Sequence, residues 1–186
     1  MRLLDARRSR SREGGASFSL SHRVFRAVWT VAWLVFASWT PPPMHRWRIF
    51  LLRIFGGKVH WTAHVYSSAS IWYPPHLTME ENSCLGSDSR CYCMAPILIK
   101  KDAVVSQGAH LCAGSHDIQD SHFQLIVKPI SLGVGSWVAA EAFVGPGVTV
   151  GDRAVVGARS VLFKDAISDS VYIGNPAAFL KKRRLR

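Results

Sequence analysis

Three histidines, His110, His116 and His122, lie within one short stretch of the chain, GAHLCAGSHDIQDSH. Imidazole is the side chain that titrates near neutrality, so a positioned histidine can take a proton from a hydroxyl; it is also the commonest zinc-ligand group. The residue types therefore admit general-base catalysis or a metal site, and their spacing alone does not bring the three rings together. Cysteines stand at 84, 91, 93 and 112 with no CxxC pair. Cys91 and Cys93, two apart on a strand, are expected on opposite faces. They read as reduced thiols of a cytosolic protein, with neither disulfides nor a metal expected.

The elements that must hold these side chains show a period of six. Aliphatic residues fall at Leu132, Val138, Val144, Val150, Val156 and Leu162, with small residues beside them. A helix needs a period near 3.6 and a half-buried strand a period of 2. A six-residue period marks a parallel β-helix, in which three hexads make one triangular coil and the aliphatic residue points into the prism. The register extends upstream through Val59, Val65 and Ile71, then Met79, Leu85 and Cys91, then Ile99, Val105 and Leu111. The joins between triplets measure eight, eight and twenty-one residues. Every insertion thus falls at one corner, and about five coils are expected. The long excursion carries His116 and His122, while His110 ends a strand; long loops in compact domains are usually functional.

Charge divides the 186 residues unevenly around a net +11. Residues 1–58 hold eleven Lys/Arg against Asp5 and Glu13, residues 59–180 are mildly acidic, and Lys181–Arg186 adds five cations. No stacking-aromatic signature accompanies the basic ends, so nucleic acid is not the expected partner. Residues 1–20 read as a disordered basic tail. Residues 21–58 read as two helices: the apolar run VFRAVWTVAWLVFASW, stopped by Pro41-Pro42-Pro43, and Met44–Phe55 with Arg46, Arg48 and Arg53 interleaved. The uninterrupted apolar part, about thirteen residues, is too short to span a bilayer. Two readings stand for it: a cap over the exposed strand edges of the first coil, and a peripheral contact with an anionic membrane face. Residues 59–174 form the repeat domain with its loop at 112–130, and 175–186 a basic C-terminal segment that includes a short helix.

The chain resembles the hexapeptide-repeat O-acetyltransferases of the colanic-acid type and, more distantly, the galactoside and maltose acetyltransferases. The resemblance covers about residues 22–184. It rests on PPPMHRWRIFLLRIFGGKV, LTMEENSCLG, SQGAHLCAGSHD, SWVAAEAFVGPGVTVGDRAVVGARSVLFKD and GNPAAFLKKR. It implies an all-β fold, a left-handed parallel β-helix, assembled as a homotrimer with acetyl-CoA bound between subunits. His116 falls at the family's catalytic base. Trp137 matches a Trp beside the cofactor cleft, and Ala140 the backbone N–H facing the thioester oxygen. Ala158 and Lys164 match positions along the pantetheine arm and phosphates, and Lys181, Lys182 and Arg183 the nucleotide end. Tyr92, Cys93 and Met94 stand where relatives carry an Asn in a loop that touches the acceptor, a departure that bears on which acceptor is used.

The resemblance implies direct acetyl transfer to a sugar hydroxyl of an exopolysaccharide or cell-surface glycan precursor, with His116 as general base. Asp117 either orients His116 or caps a turn. Two other classes share the coil: a γ-carbonic-anhydrase-like zinc protein, which needs three converging histidines, and a noncatalytic trimeric scaffold.

Overall fold

The computed structural model describes residues 3–10 and 13–184. Short strands wind into a three-sided parallel β-helix. The first coil is β1 (Lys58–Val59), β2 (His64–Val65) and β3 (Ser70–Ile71); the second is β4 (Leu77–Met79), β5 (Cys84–Leu85) and β6 (Arg90–Tyr92). The third is β7 (Ile97–Ile99), β8 (Val104–Val105) and β9 (His110–Cys112). After the hairpin β10 (Gly114–His116) and β11 (Leu125–Val127) come β12 (Ile130–Leu132), β13 (Trp137–Val138) and β14 (Phe143–Val144), then β15 (Thr149–Val150), β16 (Val155–Val156) and β17 (Val161–Leu162). A partial sixth coil follows, with a bridge from Ala166 to Val150 and β18 (Ser170–Ile173) beside β16. Five complete coils are therefore present, as the hexads require.

Each column of inward residues is one vertical register. Val59, Met79, Ile99, Leu132 and Val150 pair in succession. Val65, Leu85, Val105, Val138 and Val156 form the second column, and Ile71, Cys91, Leu111, Val144 and Leu162 the third. None of the fifteen is more than 6% exposed. The residue two before each inward position separates the corners. At two corners it is always Ala or Ser, as at Ala63, Ser83, Ala103 and Ser136. At the third it is Gly57 in the first coil and then Leu77, Ile97, Ile130 or Val148. The two tight corners turn through a left-handed residue in coils two to five, with φ +57 at Asp102 and Glu141 and glycine at Gly108 and Gly135. The open third corner has room for insertions, and the histidine loop leaves the prism there.

The helices α2 (Leu20–Phe36) and α3 (His45–Ile54) cover the open end of the first coil. Strand N–H groups of each coil donate to the next coil, as from His60 to Met79 O, so first-coil carbonyls face outward without a strand partner. Side chains from the helices supply the missing donors. Arg53 Nη1 reaches Val59 O at 2.8 Å, Arg48 Nε reaches Val65 O at 2.6 Å, and Trp29 Nε1 reaches Ile71 O at 2.7 Å. Ile49 and Leu52, both fully buried, close the prism above them. Arg48, one of the three arginines interleaved in Met44–Phe55, is 0% exposed and also donates to Thr40 Oγ1, Pro41 O and Pro42 O, tying the proline run to the coil.

Two expectations from composition are corrected. The basic N-terminal segment is folded where it is described: α1 (Ala6–Ser9) is capped by Asp5, Leu3 bridges Phe18, and Phe18 is buried against Met94 and Leu125. Its few apolar residues suffice because they meet an apolar pocket already built by the loop. In place of a C-terminal helix, β19 (Ala178–Lys182) turns back antiparallel on β18. The reason is the open strand edge of β18, whose backbone groups pair with the returning chain.

Candidate active site

His116 ends β10 and faces Leu125 across the antiparallel hairpin. Its Nδ1 lies 2.8 Å from the carbonyl oxygen of Phe123, and its ring stacks on the Phe123 ring at 4.1 Å with 9° between planes. A carbonyl only accepts, so Nδ1 carries the proton and Nε2 is left as the basic nitrogen. Phe123 itself is held at φ +57, with its N–H donating to Asp120 O at 2.8 Å. Asp117 resolves as a turn cap: its Oδ1 accepts from Gln119 N at 2.9 Å. Orientation of the imidazole thus comes from a backbone carbonyl seven residues on, for which the sequence carries no signal.

The other two histidines have separate surroundings. His122 is exposed beside Asp120, at 3.5 Å. His110 is half-buried in β9 with its ring edge-on to Phe143 at 5.3 Å, and burial, then Arg90, lower its pKa. Among the described residues no three His, Cys, Asp or Glu are grouped to hold a metal ion.

The loop is braced from the N-terminus. Gln124, next to Phe123, accepts from Ala6 N at 2.7 Å through Oε1 and donates to Leu4 O at 3.3 Å through Nε2. Below it, Leu125 and Met94 pack on Phe18. A Cβ at Gly114 would collide with Met94 Sδ, so the hairpin approaches this layer as closely as glycine allows. Neither Gln124 nor Phe18 stood out in the sequence, since both act through contacts more than a hundred residues apart or through a non-repeating loop.

Of the three residues expected to touch an acceptor, two are turned away from solvent and Tyr92 faces a cavity. Cys93 and Met94 are buried, at 0% and 3% exposure. The chain leaves strand geometry after Tyr92, so Cys93 turns inward, where its sulfur lies beside Tyr73 backbone at 3.2 Å and the Cys91 thiol. The hydrogen bond to Cys93, followed by burial, pushes the Cys91 thiol well above its usual range. The two cysteines therefore share the interior, against the alternation expected of a continuous strand. Tyr92 lines a cavity of about 300 Å³ with Ser70, Trp72, Arg90, His110 and Cys112. Burial, then Cys112, raises the Tyr92 pKa.

The remaining candidates distribute over the prism. Trp137 projects from β13, its Nε1 donating to Ser106 Oγ at 2.8 Å. Arg183 reaches the same groove, of about 440 Å³, and donates to Gly135 O at 3.1 Å and Arg153 O at 2.9 Å. Lys181 and Lys182 precede it on β19. Ala140 and Ala158 occupy the next corner on adjacent coils, where Arg159 N donates to Ala140 O at 2.9 Å and Arg159 pairs with Glu141 at 2.6 Å. Among the described residues none accepts from the Ala140 N–H. Lys164 follows β17 at the open corner, on the side of the prism from which the His116 loop leaves. Within one chain, then, Trp137 and Arg183 share a groove, while His116 lies at a different corner from Ala140.

No protein-family model matches the chain. It is 42% identical over 155 residues, 83% of its own length and 85% of the relative's, to the putative colanic acid biosynthesis acetyltransferase WcaF of Escherichia coli K12. A maltose O-acetyltransferase from Clostridium difficile superposes with a TM-score of 0.79 at 22% identity, covering 90% of each chain. A hexapeptide-repeat acetyltransferase of Vibrio cholerae, solved with acetyl coenzyme A, gives 0.79 at 21%, covering 91% of this chain and 93% of the other. At those identities the structural likeness establishes the fold.

Proposed function

The chain belongs to the WcaF-type colanic acid biosynthesis acetyltransferases, and from that premise we propose that it transfers an acetyl group from acetyl-CoA to a sugar hydroxyl of an exopolysaccharide or cell-surface glycan precursor. The observation that carries the reading is the bond from His116 Nδ1 to Phe123 O, which leaves Nε2 as the proton acceptor on a partly exposed loop. A sugar hydroxyl is far too weakly acidic to ionise at neutral pH, so its proton must pass to a base as its oxygen attacks the thioester carbonyl. The new C–O bond creates a tetrahedral oxyanion, for which the Ala140 N–H is a suitably unpaired donor. Collapse breaks the C–S bond, and the departing CoA thiolate takes the proton from the imidazolium. No covalent enzyme intermediate is needed.

We assign the donor to the groove beside Trp137, which the Arg183 side chain reaches from the end of β19: Lys181, Lys182 and Arg183 supply charge for phosphates, with Ala158 along the arm and Lys164 facing it from the chain that supplies His116. Tyr92 lines the acceptor side. Because His116 and Ala140 occupy different corners, a complete site requires the loop of one chain to face the Trp137–Ala140 side of another. A homotrimer supplies that arrangement, acting in the cytoplasm and peripherally on the inner face of the membrane.

His116→Ala tests the reading. Transfer should fall by about 10²–10⁴-fold, with acetyl-CoA affinity nearly unchanged and the melting curve intact. Full activity in that variant would overturn the assignment.

A further inference from the structure

Helix α2 is apolar on two opposite faces. One of them, carrying Phe25, Trp29 and Trp33, caps the first coil, where Trp33 Nε1 donates to Ser67 O at 3.2 Å. The other holds Leu20, Val24, Val28, Val31, Leu34 and Val35, which at 100° per residue fall within roughly a 120° arc. All six are at least half exposed, Leu20 at 72% and Leu34 at 65%. A helix apolar all round needs cover on both sides. The surface continues into α3: Trp47 Nε1 donates to Phe36 O at 2.7 Å, and Trp47 packs on Phe50 at 5.7 Å, both rings partly exposed.

The charge carried by the two helices has one sign. No Asp or Glu occurs between Glu13 and Glu80. Arg23 borders the aliphatic arc, and Arg46 stands exposed beside Trp47. No helix among the described residues is long and apolar enough to cross a membrane. Exposed aliphatic and aromatic groups on two adjoining helices that carry arginines and no acids match an anionic bilayer surface: apolar groups enter the acyl boundary while guanidinium groups meet lipid phosphates.

The geometry points to the outward face of α2 and α3 as the docking surface of this protein on anionic lipid. This deepens the peripheral placement proposed above and is independent of acetyl transfer, so a transfer-dead His116→Ala protein still binds. The same face seated against a second copy of the chain is the competing occupant.

The test is flotation of the full-length protein with vesicles of phosphatidylcholine alone or mixed equally with phosphatidylglycerol, alongside sedimentation velocity without lipid. Wild type should float at least about tenfold more with the anionic vesicles and be released by high salt. Val24→Asp together with Val31→Asp, both solvent-facing, should abolish flotation and leave the sedimentation coefficient unchanged. Arg23→Gln with Arg46→Gln should lower flotation on anionic vesicles towards the neutral level, a reading that holds even if the aspartate variant misfolds. Absence of wild-type flotation, or flotation unaltered in both variants, overturns the proposal. A smaller assembly in the aspartate variant without lipid binding by wild type assigns the face to a second copy instead.

Discussion

His116 and Phe123 hold each other across the tip of a hairpin: the imidazole Nδ1 meets the Phe123 carbonyl at 2.8 Å, and the two rings lie 9° from parallel. The imidazole is thereby fixed in tautomer and in plane, with no carboxylate partner among the described residues. Its position is set by whatever positions residue 123.

That arrangement separates His116 from its acidic neighbours. Asp117→Asn and His122→Ala should each leave kcat within a few-fold of wild type, because Asp117 caps a turn and His122 sits with Asp120. Steady-state kinetics on a glycan acceptor checks this. A loss in Asp117→Asn as large as that in His116→Ala would make the carboxylate the orienting group.

Support for the loop comes from the N-terminal segment, so removing residues 1–18 should not be harmless, although their composition reads as a disordered tail. Deletion, or Gln124→Ala, loosens the Phe123 carbonyl and should lower kcat roughly tenfold through misplacement of the base. The KM for acetyl-CoA should stay constant, since the groove proposed for the donor is built by the coil strands and Arg183, not by the loop. Equal changes in both parameters would point to general damage.

Arg48 is buried among carbonyls of Val65, Pro41 and Pro42 and the Thr40 hydroxyl. Arg48→Met preserves volume but leaves those acceptors without donors, at a cost of roughly 2–4 kcal/mol. Chemical denaturation should show the loss; an unchanged midpoint would mean that water replaces the guanidinium.

His22 links the N-terminal segment to acidity. It is 8% exposed, and among the described residues neither ring nitrogen has a partner. Burial first, then Arg26 and His76, lower its pKa from 6.5 to about 4, and Phe18, Trp72 and Tyr73 enclose the ring. A lowered pKa means that the folded state binds fewer protons than the unfolded one. Its contribution is therefore full above pH 6.5 and lost as pH falls towards 4, by at most about 3 kcal/mol. Melting temperature should drop across that window, and His22→Leu should flatten the dependence.

The hexads made the prism legible. A six-residue aliphatic period has one low-energy solution, three sheets with inward columns, and the joins of eight, eight and twenty-one residues fixed the corner from which the loop leaves. His116 stood out because it lies in an excursion from an otherwise exact register, and the resemblance to the colanic-acid-type acetyltransferases made it the proposed base. Tertiary structure decided the rest. Cys93 and Met94 turned inward because the strand ends at Tyr92, a break that no period announces. Arg48 went inside because first-coil carbonyls needed donors, and β19 paired with β18 because a strand edge was open. The clasp from Leu4 and Ala6 to Gln124 spans 120 and 118 residues. Local pattern carries no record of such contacts, which form only when the coil has brought the third corner beneath the folded N-terminus.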